Sequence, residues 1–203
     1  MEYMKALDDI LVPDSRSQLF TVVTSYRPFE TRPKELADHH AQIDAIKLHD
    51  GVPEDVRQHF ETGKNILLYA WYVYRFIPVA EMHAMISVEF ALKVKTEGKM
   101  EGLHNMLRHA VSREWLKNEG FSEWHHHNAI RAEDRRVRQE ISEMVGRDYE
   151  IVEEAFDFVE GLIATFSALR NEYTHGTTLL HPGGFGRLNL CAEIINQLFD
   201  RPV

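Results

Sequence analysis

The sequence lacks the features that mark disulfide-bonded, secreted and membrane-spanning proteins. Its one cysteine, Cys191, excludes an intramolecular disulfide and any metal motif built on several cysteines. The most apolar window, residues 66–80, is too short to cross a bilayer and contains Arg75 and Pro78. Residues 1–10 carry acidic side chains and no apolar run, so we expect no secretory signal. These absences predict a cytoplasmic protein without a membrane partner.

Positive charge is also scarce. The chain has 23 lysine and arginine residues against 32 aspartate and glutamate residues, which gives a net charge of −9. This balance disfavours general binding to nucleic acid or anionic membranes, but it is compatible with a small local basic site. Hydrophobic residues make up 44% of the 203 residues, which is enough for a core and argues against global disorder.

Apolar residues recur at helical spacing along most of the chain after residue 50, and few stretches alternate with period two. We therefore predict an all-α fold, a helical bundle over residues 51–203. Residues 1–50 have weak periodicity and are interpreted as an N-terminal extension that packs on the bundle, with a short strand or arm at 19–23 and a helix at about 33–49. The helices predicted for the bundle cover about 53–76, 79–95, 103–117, 128–145, 149–175 and 188–199, with a break at Pro78.

Two charged residues fall on the apolar faces of predicted helices. The apolar residues of the helix over 149–175 are spaced by three and four along one face: Val152, Phe156, Val159, Ile163, Phe166 and Tyr173. The position expected next after Phe166 on this face holds Arg170. The face of the helix over 79–95 is defined by Met82, Met85, Ile86 and Leu92. Glu89 lies in the middle of that face.

A charge on such a face must be paired or must line a pocket, because an unpaired buried charge is strongly unfavourable. Glu89 and Arg170 are therefore candidate partners. In one interpretation they form a structural ion pair between two helices. In the other, Arg170 points into a polar cleft and Glu89 orients it.

His175 lies five residues after Arg170, which places the two about 140° apart around an ideal helix. Asn171 and His175 are four residues apart and share a flank, and Ala164 and Ala168 lie further along it. Small residues on this flank would let another helix approach closely. That helix could belong to a second copy of the chain, which would bring both pairs together in one groove.

The combination of an arginine with a histidine at a helix C-terminus suits attack on a phosphodiester. The helix dipole favours a positive charge at the position of His175, and a histidine can transfer protons near neutral pH. Arg170 can hold phosphate oxygens and stabilise the charge that develops on them. Such chemistry needs no metal when the nucleophile is a ribose 2′-hydroxyl.

The segment Arg170-Asn171-Glu172-Tyr173-Thr174-His175 resembles the motif of the HEPN family, an arginine followed by four residues and a histidine. It lies near the end of a late helix in a helical chain, as in the family, and the resemblance covers roughly residues 65–200. It implies a metal-independent endoribonuclease that acts as a homodimer on RNA, needs no cofactor and leaves a 2′,3′-cyclic phosphate. His175 would be the proton-transfer group, Arg170 would stabilise the phosphate, Asn171 would assist in positioning and Glu89 would support Arg170.

Many members of this family act in toxin–antitoxin or phage-defence systems, which implies an antitoxin protein as a further partner. Two other functions stay open at this point. One is a non-catalytic RNA- or nucleotide-binding module with the same fold. The other is a helical dimerisation or scaffold protein in which Arg170 and Glu89 form only a structural pair.

Four further features are given structural interpretations. Cys191 is expected to be a buried thiol, and the histidine run 125–127 a solvated helix entry rather than a metal site. The segment Gly183-Gly184-Phe185-Gly186 is expected to be a flexible loop close to His175. The most basic stretch is expected to be a solvated helix face or, if RNA binds, a surface for its backbone; it contains Arg131, Arg135, Arg136 and Arg138.

Overall fold

The computed structural model describes residues 4–146, 156–175 and 184–200. Within these residues the chain forms seven α-helices and one two-stranded antiparallel sheet. The helices are α1 Leu36–Asp44, α2 Glu54–Tyr69, α3 Phe76–Lys95, α4 Leu103–Ser112, α5 Ser122–Val145, α6 Phe158–His175 and α7 Phe185–Phe199. The strands are β1 Thr21–Tyr26 and β2 Phe29–Pro33. The prediction of a mostly helical fold is confirmed.

The two strands form a hairpin in the N-terminal extension, which adds a small sheet to the all-α architecture that we predicted. β1 pairs with β2 from Thr21 opposite Pro33 to Tyr26 opposite Phe29. The predicted strand at 19–23 overlaps β1, whereas β2 was not predicted. Both strands are mostly exposed, so neither shows the alternation of apolar and polar residues that marks a half-buried strand.

The extension packs on the bundle, as predicted, and hydrogen bonds of Asp14 and His39 fasten it there. The Asp14 N–H donates to the carbonyl oxygen of Trp71 at 3.0 Å, and the Asp14 carboxylate accepts from the Tyr74 N–H at 3.3 Å. On α1, the buried His39 places Nε2 2.9 Å from the carbonyl oxygen of Leu67. The extension therefore contacts the end of α2 and the connection that follows it.

The connection between α2 and α3 differs from the prediction. We predicted one helix over 53–76, a break at Pro78 and a second helix over 79–95. The helix ends earlier, at Tyr69, and Pro78 is the third residue of α3. Proline is tolerated in the first turn of a helix because the N–H groups there have no intrahelical partner. The break is explained instead by Trp71 and Tyr74, which are both buried in the connection. Helix α4 also ends earlier than predicted, at Ser112 rather than near 117.

The core lies between α2, α3, α4, α6 and α7, and α3 contacts each of the other four. Ala80, Ala84 and Ala91 on α3 are fully buried, and their small side chains let neighbouring helices approach closely. The largest fully buried side chains are Phe60, Leu67, Met85, Leu92, Met106, Leu107, Phe121, Ile163, Phe166, Leu188, Ile194 and Ile195.

Helix α5 is 24 residues long and has no buried residue. It ends at Gly146, whose φ of 64° is the left-handed conformation that favours glycine, so the predicted stop is confirmed. Its histidine run lies near the helix entry, as predicted, where His125 Nε2 is 2.8 Å from the Glu119 carbonyl oxygen. The basic stretch lies on the same polar helix, and Arg136 bonds Glu133 at 2.6 Å. None of the described helices is both long and apolar enough to cross a membrane.

Two histidines are held in the fold in environments that disfavour their protonation. Burial lowers the pKa of His39, and burial together with the neighbouring His83 lowers the pKa of His59. The ring of His59 stacks on His83 with centroids 4.4 Å apart, and its Nδ1 lies 2.8 Å from the Ser87 hydroxyl. Both contacts fasten α2 to α3.

We expect the free energy of unfolding to fall as the pH decreases from 7.5 to 5.5. The unfolded chain takes up protons near the ordinary histidine value of 6.5, whereas the folded pKa values of His39 and His59 are lower. The stabilisation that these two histidines give is therefore complete above pH 6.5. It is lost as the pH falls from 6.5 toward their lower folded pKa values. Urea unfolding at several pH values measures the slope. His59→Gln should reduce the slope of the unfolding free energy against pH. His126→Gln, at an exposed position, should leave the slope unchanged. Equal slopes in both variants would contradict the assignment of the pH dependence to His59.

Candidate functional site

Helix α6, which carries the motif, is anchored by its apolar face. Asp157 caps its start, since the carboxylate accepts from the Glu160 N–H at 3.1 Å. Val159, Ile163 and Phe166 are buried, which confirms the predicted face in this part of the helix. Phe156 precedes the helix and is exposed. The predicted helix start near 149, Val152 and the predicted stop at Gly176 lie outside the described residues.

The predicted partnership of Glu89 and Arg170 is present. Arg170 Nη2 lies 2.9 Å from Glu89 Oε2, and Lys93 Nζ lies 2.9 Å from Glu89 Oε1. The side chains are 17% exposed for Glu89, 31% for Arg170 and 51% for Lys93. One carboxylate thus lies between two cations where α3 and α6 meet.

The cations keep Glu89 ionised. Burial raises the pKa of Glu89, but the hydrogen bond and charge of Lys93 and the charge of Arg170 together lower it more, so that it lies below the ordinary value. The carboxylate therefore holds Arg170 in place at neutral pH.

Replacement of Arg170 by methionine should cost only about 1 kcal/mol of stability, because Lys93 still pairs with Glu89 and the pair is partly exposed. Urea unfolding of Arg170→Met measures this cost. The same substitution in a Lys93→Met background should cost distinctly more, since Glu89 then loses both cations. A cost above about 3 kcal/mol in the otherwise native chain would instead indicate a pair whose role is structural.

His175 and Asn171 lie on a different flank of α6 from Arg170. Both are exposed, and His175 is the last residue of the helix. Ala164 and Ala168 are exposed on the same flank, as predicted. Arg170 turns toward α3, where it pairs with Glu89. Arg170 and His175 therefore lie about 140° apart around the axis of α6, on different sides of the helix.

A second polar contact between α3 and α6 was not predicted. Glu81 is fully buried, and the hydroxyl of Tyr173 donates to its Oε2 at 2.5 Å. Burial and this hydrogen bond raise the pKa of Tyr173 to about 12. Glu81 is thus the most deeply buried carboxylate among the described residues, and it binds the last turn of the motif helix to the first turns of α3.

The sequence contained a signal for Glu81 that we did not use. Glu81, Met85, Val88 and Leu92 are spaced by four, three and four, which places them on one helical face. The structure buries this face completely, whereas Met82 and Ile86 are only partly buried. The apolar face that we predicted for α3 was therefore rotated away from the true one.

A cleft of about 570 Å³ lies beside this contact, where α3 meets the starts of α5 and α7. Its charged lining consists of Arg187 and the carboxylates of Glu81, Glu123 and Glu193. Carboxylates outnumber the arginine, so the cleft as a whole does not suit a phosphate group.

The predicted loop at 183–186 is partly wrong. Phe185 and Gly186 belong to α7, and Gly184 precedes the helix as its N-cap with a φ of 111°. Residue 183 lies outside the described residues.

The remaining candidate residues play structural roles. Cys191 is fully buried, as predicted, and burial raises the pKa of its thiol. No group of three or more His, Cys, Asp or Glu residues in the described part of the chain is arranged to hold a metal ion. Comparisons of the chain with protein-family models, with curated proteins and with solved structures give no match. The described part of the chain is mostly helical, and the cluster around Glu89 is its candidate functional site.

Proposed function

We propose that the protein is a metal-independent endoribonuclease of the HEPN type, in which Arg170 and His175 act on a phosphodiester of RNA. The observation that supports this proposal best is the cluster of Arg170, Glu89 and Lys93. It holds Arg170 beside Glu89 at the partly exposed junction of α3 and α6, where a guanidinium group can bind phosphate oxygens. Asn171 is the positioning residue of the proposed site, and Glu89 supports Arg170.

The proposed reaction balances without a metal. His175 accepts the proton of a ribose 2′-hydroxyl, and the 2′-oxygen attacks the adjacent phosphorus. The bond from phosphorus to the 5′-oxygen of the next nucleotide breaks, that oxygen takes up a proton from water as it leaves, and His175 then returns its proton to the hydroxide that remains. Arg170 stabilises the negative charge that develops on the non-bridging oxygens. The products are a 2′,3′-cyclic phosphate and a 5′-hydroxyl.

The proposed site is complete only in a homodimer, because Arg170 and His175 lie on different flanks of one α6. Gly161, Ala164 and Ala168 are exposed beside Asn171 and His175, so a helix of a second copy can approach this flank closely. The groove between the two copies would then contain both motifs. A cytoplasmic role in toxin–antitoxin or phage-defence systems, with an antitoxin as partner, belongs to the same proposal.

The product chemistry tests the proposal directly. An RNA oligonucleotide incubated with the protein in EDTA should be cut and should carry 2′,3′-cyclic phosphate ends, whereas the DNA oligonucleotide of equal sequence should stay intact because it has no 2′-hydroxyl. An Arg170→Met/His175→Ala double variant purified in parallel measures contaminating nuclease. Cleavage of DNA, linear 3′-phosphate ends at the earliest times, or equal cleavage by the double variant would contradict the mechanism.

A helical scaffold protein is the second candidate, and the Glu89–Arg170 ion pair itself favours it, because a pair between two helices needs no ligand to explain it. The two candidates predict different behaviour toward RNA. A scaffold neither binds nor cleaves the oligonucleotide. Binding without cleavage would indicate a non-catalytic RNA-binding module.

A further inference from the structure

A cavity of about 220 Å³ lies where the N-terminal extension meets the bundle, and no residue of the motif lines it. Five of its twelve lining residues carry rings, and they are Phe20, His39, Trp71, Tyr74 and Phe185. The ring centroid of His39 lies 5.5 Å from that of Trp71 and 5.3 Å from that of Phe185. Pockets for drug-sized ligands have volumes of about 300 to 1,000 Å³, so this cavity suits a ligand with a single ring.

Lys34 is the cation at this cavity. Its Nζ donates to Gln42 Oε1 at 2.6 Å and lies 4.5 Å from the ring centre of Phe185. Burial lowers the pKa of Lys34, which means that its ammonium group is partly removed from water. The interaction with Gln42 uses one of its three N–H donors.

No carboxylate among the described residues lies within ion-pair distance of Lys34. The nearest candidate, Asp38, is occupied by Arg32, whose two terminal nitrogens each bond one Asp38 oxygen at 2.6 Å. Lys34 thus differs from the exposed Lys47, which pairs with Asp44 at 2.6 Å. The charge of Asp38 acts on Lys34 from a distance, but no described carboxylate contacts it. A partly desolvated ammonium group of this kind, beside a cavity with aromatic walls, favours an anionic ligand.

We propose that this cavity binds a small aromatic carboxylate. The ring lies between the aromatic walls, where offset and edge-to-face contacts are favourable, and the carboxylate accepts a charge-assisted hydrogen bond from Lys34 Nζ. Lys34 belongs to the extension, whereas Trp71 and Phe185 belong to the bundle. The ligand therefore bridges the two parts of the chain. This proposal is independent of RNA cleavage.

Isothermal titration of the full chain with benzoate, benzamide and benzylamine tests both the ring and the charge. Benzoate should bind with a dissociation constant on the order of 1 mM or below, as expected for a ligand of this size. Benzamide has the same shape without the charge and should bind at least about tenfold more weakly, because it loses the charge-assisted bond. Benzylamine carries a positive charge and should show no binding.

Two matched variants assign the binding to the cavity. Lys34→Met keeps an unbranched side chain over Phe185 and removes the charge, so benzoate should bind at least about tenfold more weakly. Lys47→Met makes the same change at an exposed lysine and should leave benzoate binding unchanged. The proposal is overturned if benzoate does not bind at about 10 mM, if benzamide binds as well, or if Lys34→Met binds benzoate like the native chain. The comparison of ligands on the native chain decides the matter even if Lys34→Met does not fold.

Discussion

We expect His175→Ala to lower kcat/KM for the proposed RNA cleavage by about 100- to 10,000-fold, the usual contribution of a positioned general acid or base. The same substitution changes the free energy of unfolding by less than about 0.5 kcal/mol, because the side chain is exposed at the end of α6 and supports no core contact. Initial rates with a fluorescent RNA in EDTA measure the first quantity, and urea unfolding measures the second. The separation of the two effects is what distinguishes a catalytic histidine from a structural one.

Glu172→Ala is the matched control for this experiment. Glu172 lies inside the same motif and is exposed, but it has no role in the proposed reaction. The variant should cleave at nearly the native rate and should have native stability. If His175→Ala also keeps the native rate, His175 is not the proton-transfer group and the proposed mechanism fails.

The helical periodicity of α6 could be predicted well from the sequence because it depends on local spacing. Val159, Ile163 and Phe166 fixed the buried face, and that face identified Arg170 as a charge in need of a partner. The free-energy cost of an unpaired buried charge then pointed to Glu89, which the structure places at 2.9 Å. A local pattern and one energetic argument thus named a candidate contact between residues 81 positions apart in the chain, although the apolar face from which Glu89 was chosen is not the buried face of α3.

Periodicity was less informative for α3, because that helix packs against several neighbours at once. Its nine buried positions form one wide face, which extends from Ser87 at one edge to Met85 at the other. Alanine and serine do not distinguish a buried face from an exposed one, so the larger Met82 and Ile86 dominated the prediction. For the same reason the fully buried Glu81 was missed.

Features that depend on distant parts of the chain could not be predicted from local patterns. The break after α2 depends on the burial of Trp71 and Tyr74 against the extension and the bundle. The strand β2 is defined by its pairing with β1 rather than by an apolar face. The relation between Arg170 and His175 is of the same kind, since the proposed groove needs a second copy of the chain.

Phe166→Ala should lower the free energy of unfolding by about 3 to 5 kcal/mol, the usual cost of removing a large aromatic side chain from a core. Phe166 is 1% exposed and lies on the face that anchors α6. Urea unfolding measures the loss. Phe29→Ala is the matched control, because Phe29 is 70% exposed in the hairpin and its replacement should cost less than about 0.5 kcal/mol.

The Phe166 variant also tests how the proposed site is held. Phe166 lies one helical turn before Arg170, so the cavity left by its removal loosens α6 next to the ion pair with Glu89. In conditions where the variant is still folded, we expect its cleavage rate to fall while the Phe29 variant keeps the native rate. If Phe166→Ala costs less than about 1 kcal/mol, α6 is not anchored by this face. The position of Arg170 against α3, and with it the observation that best supports the proposed function, would then have to be abandoned.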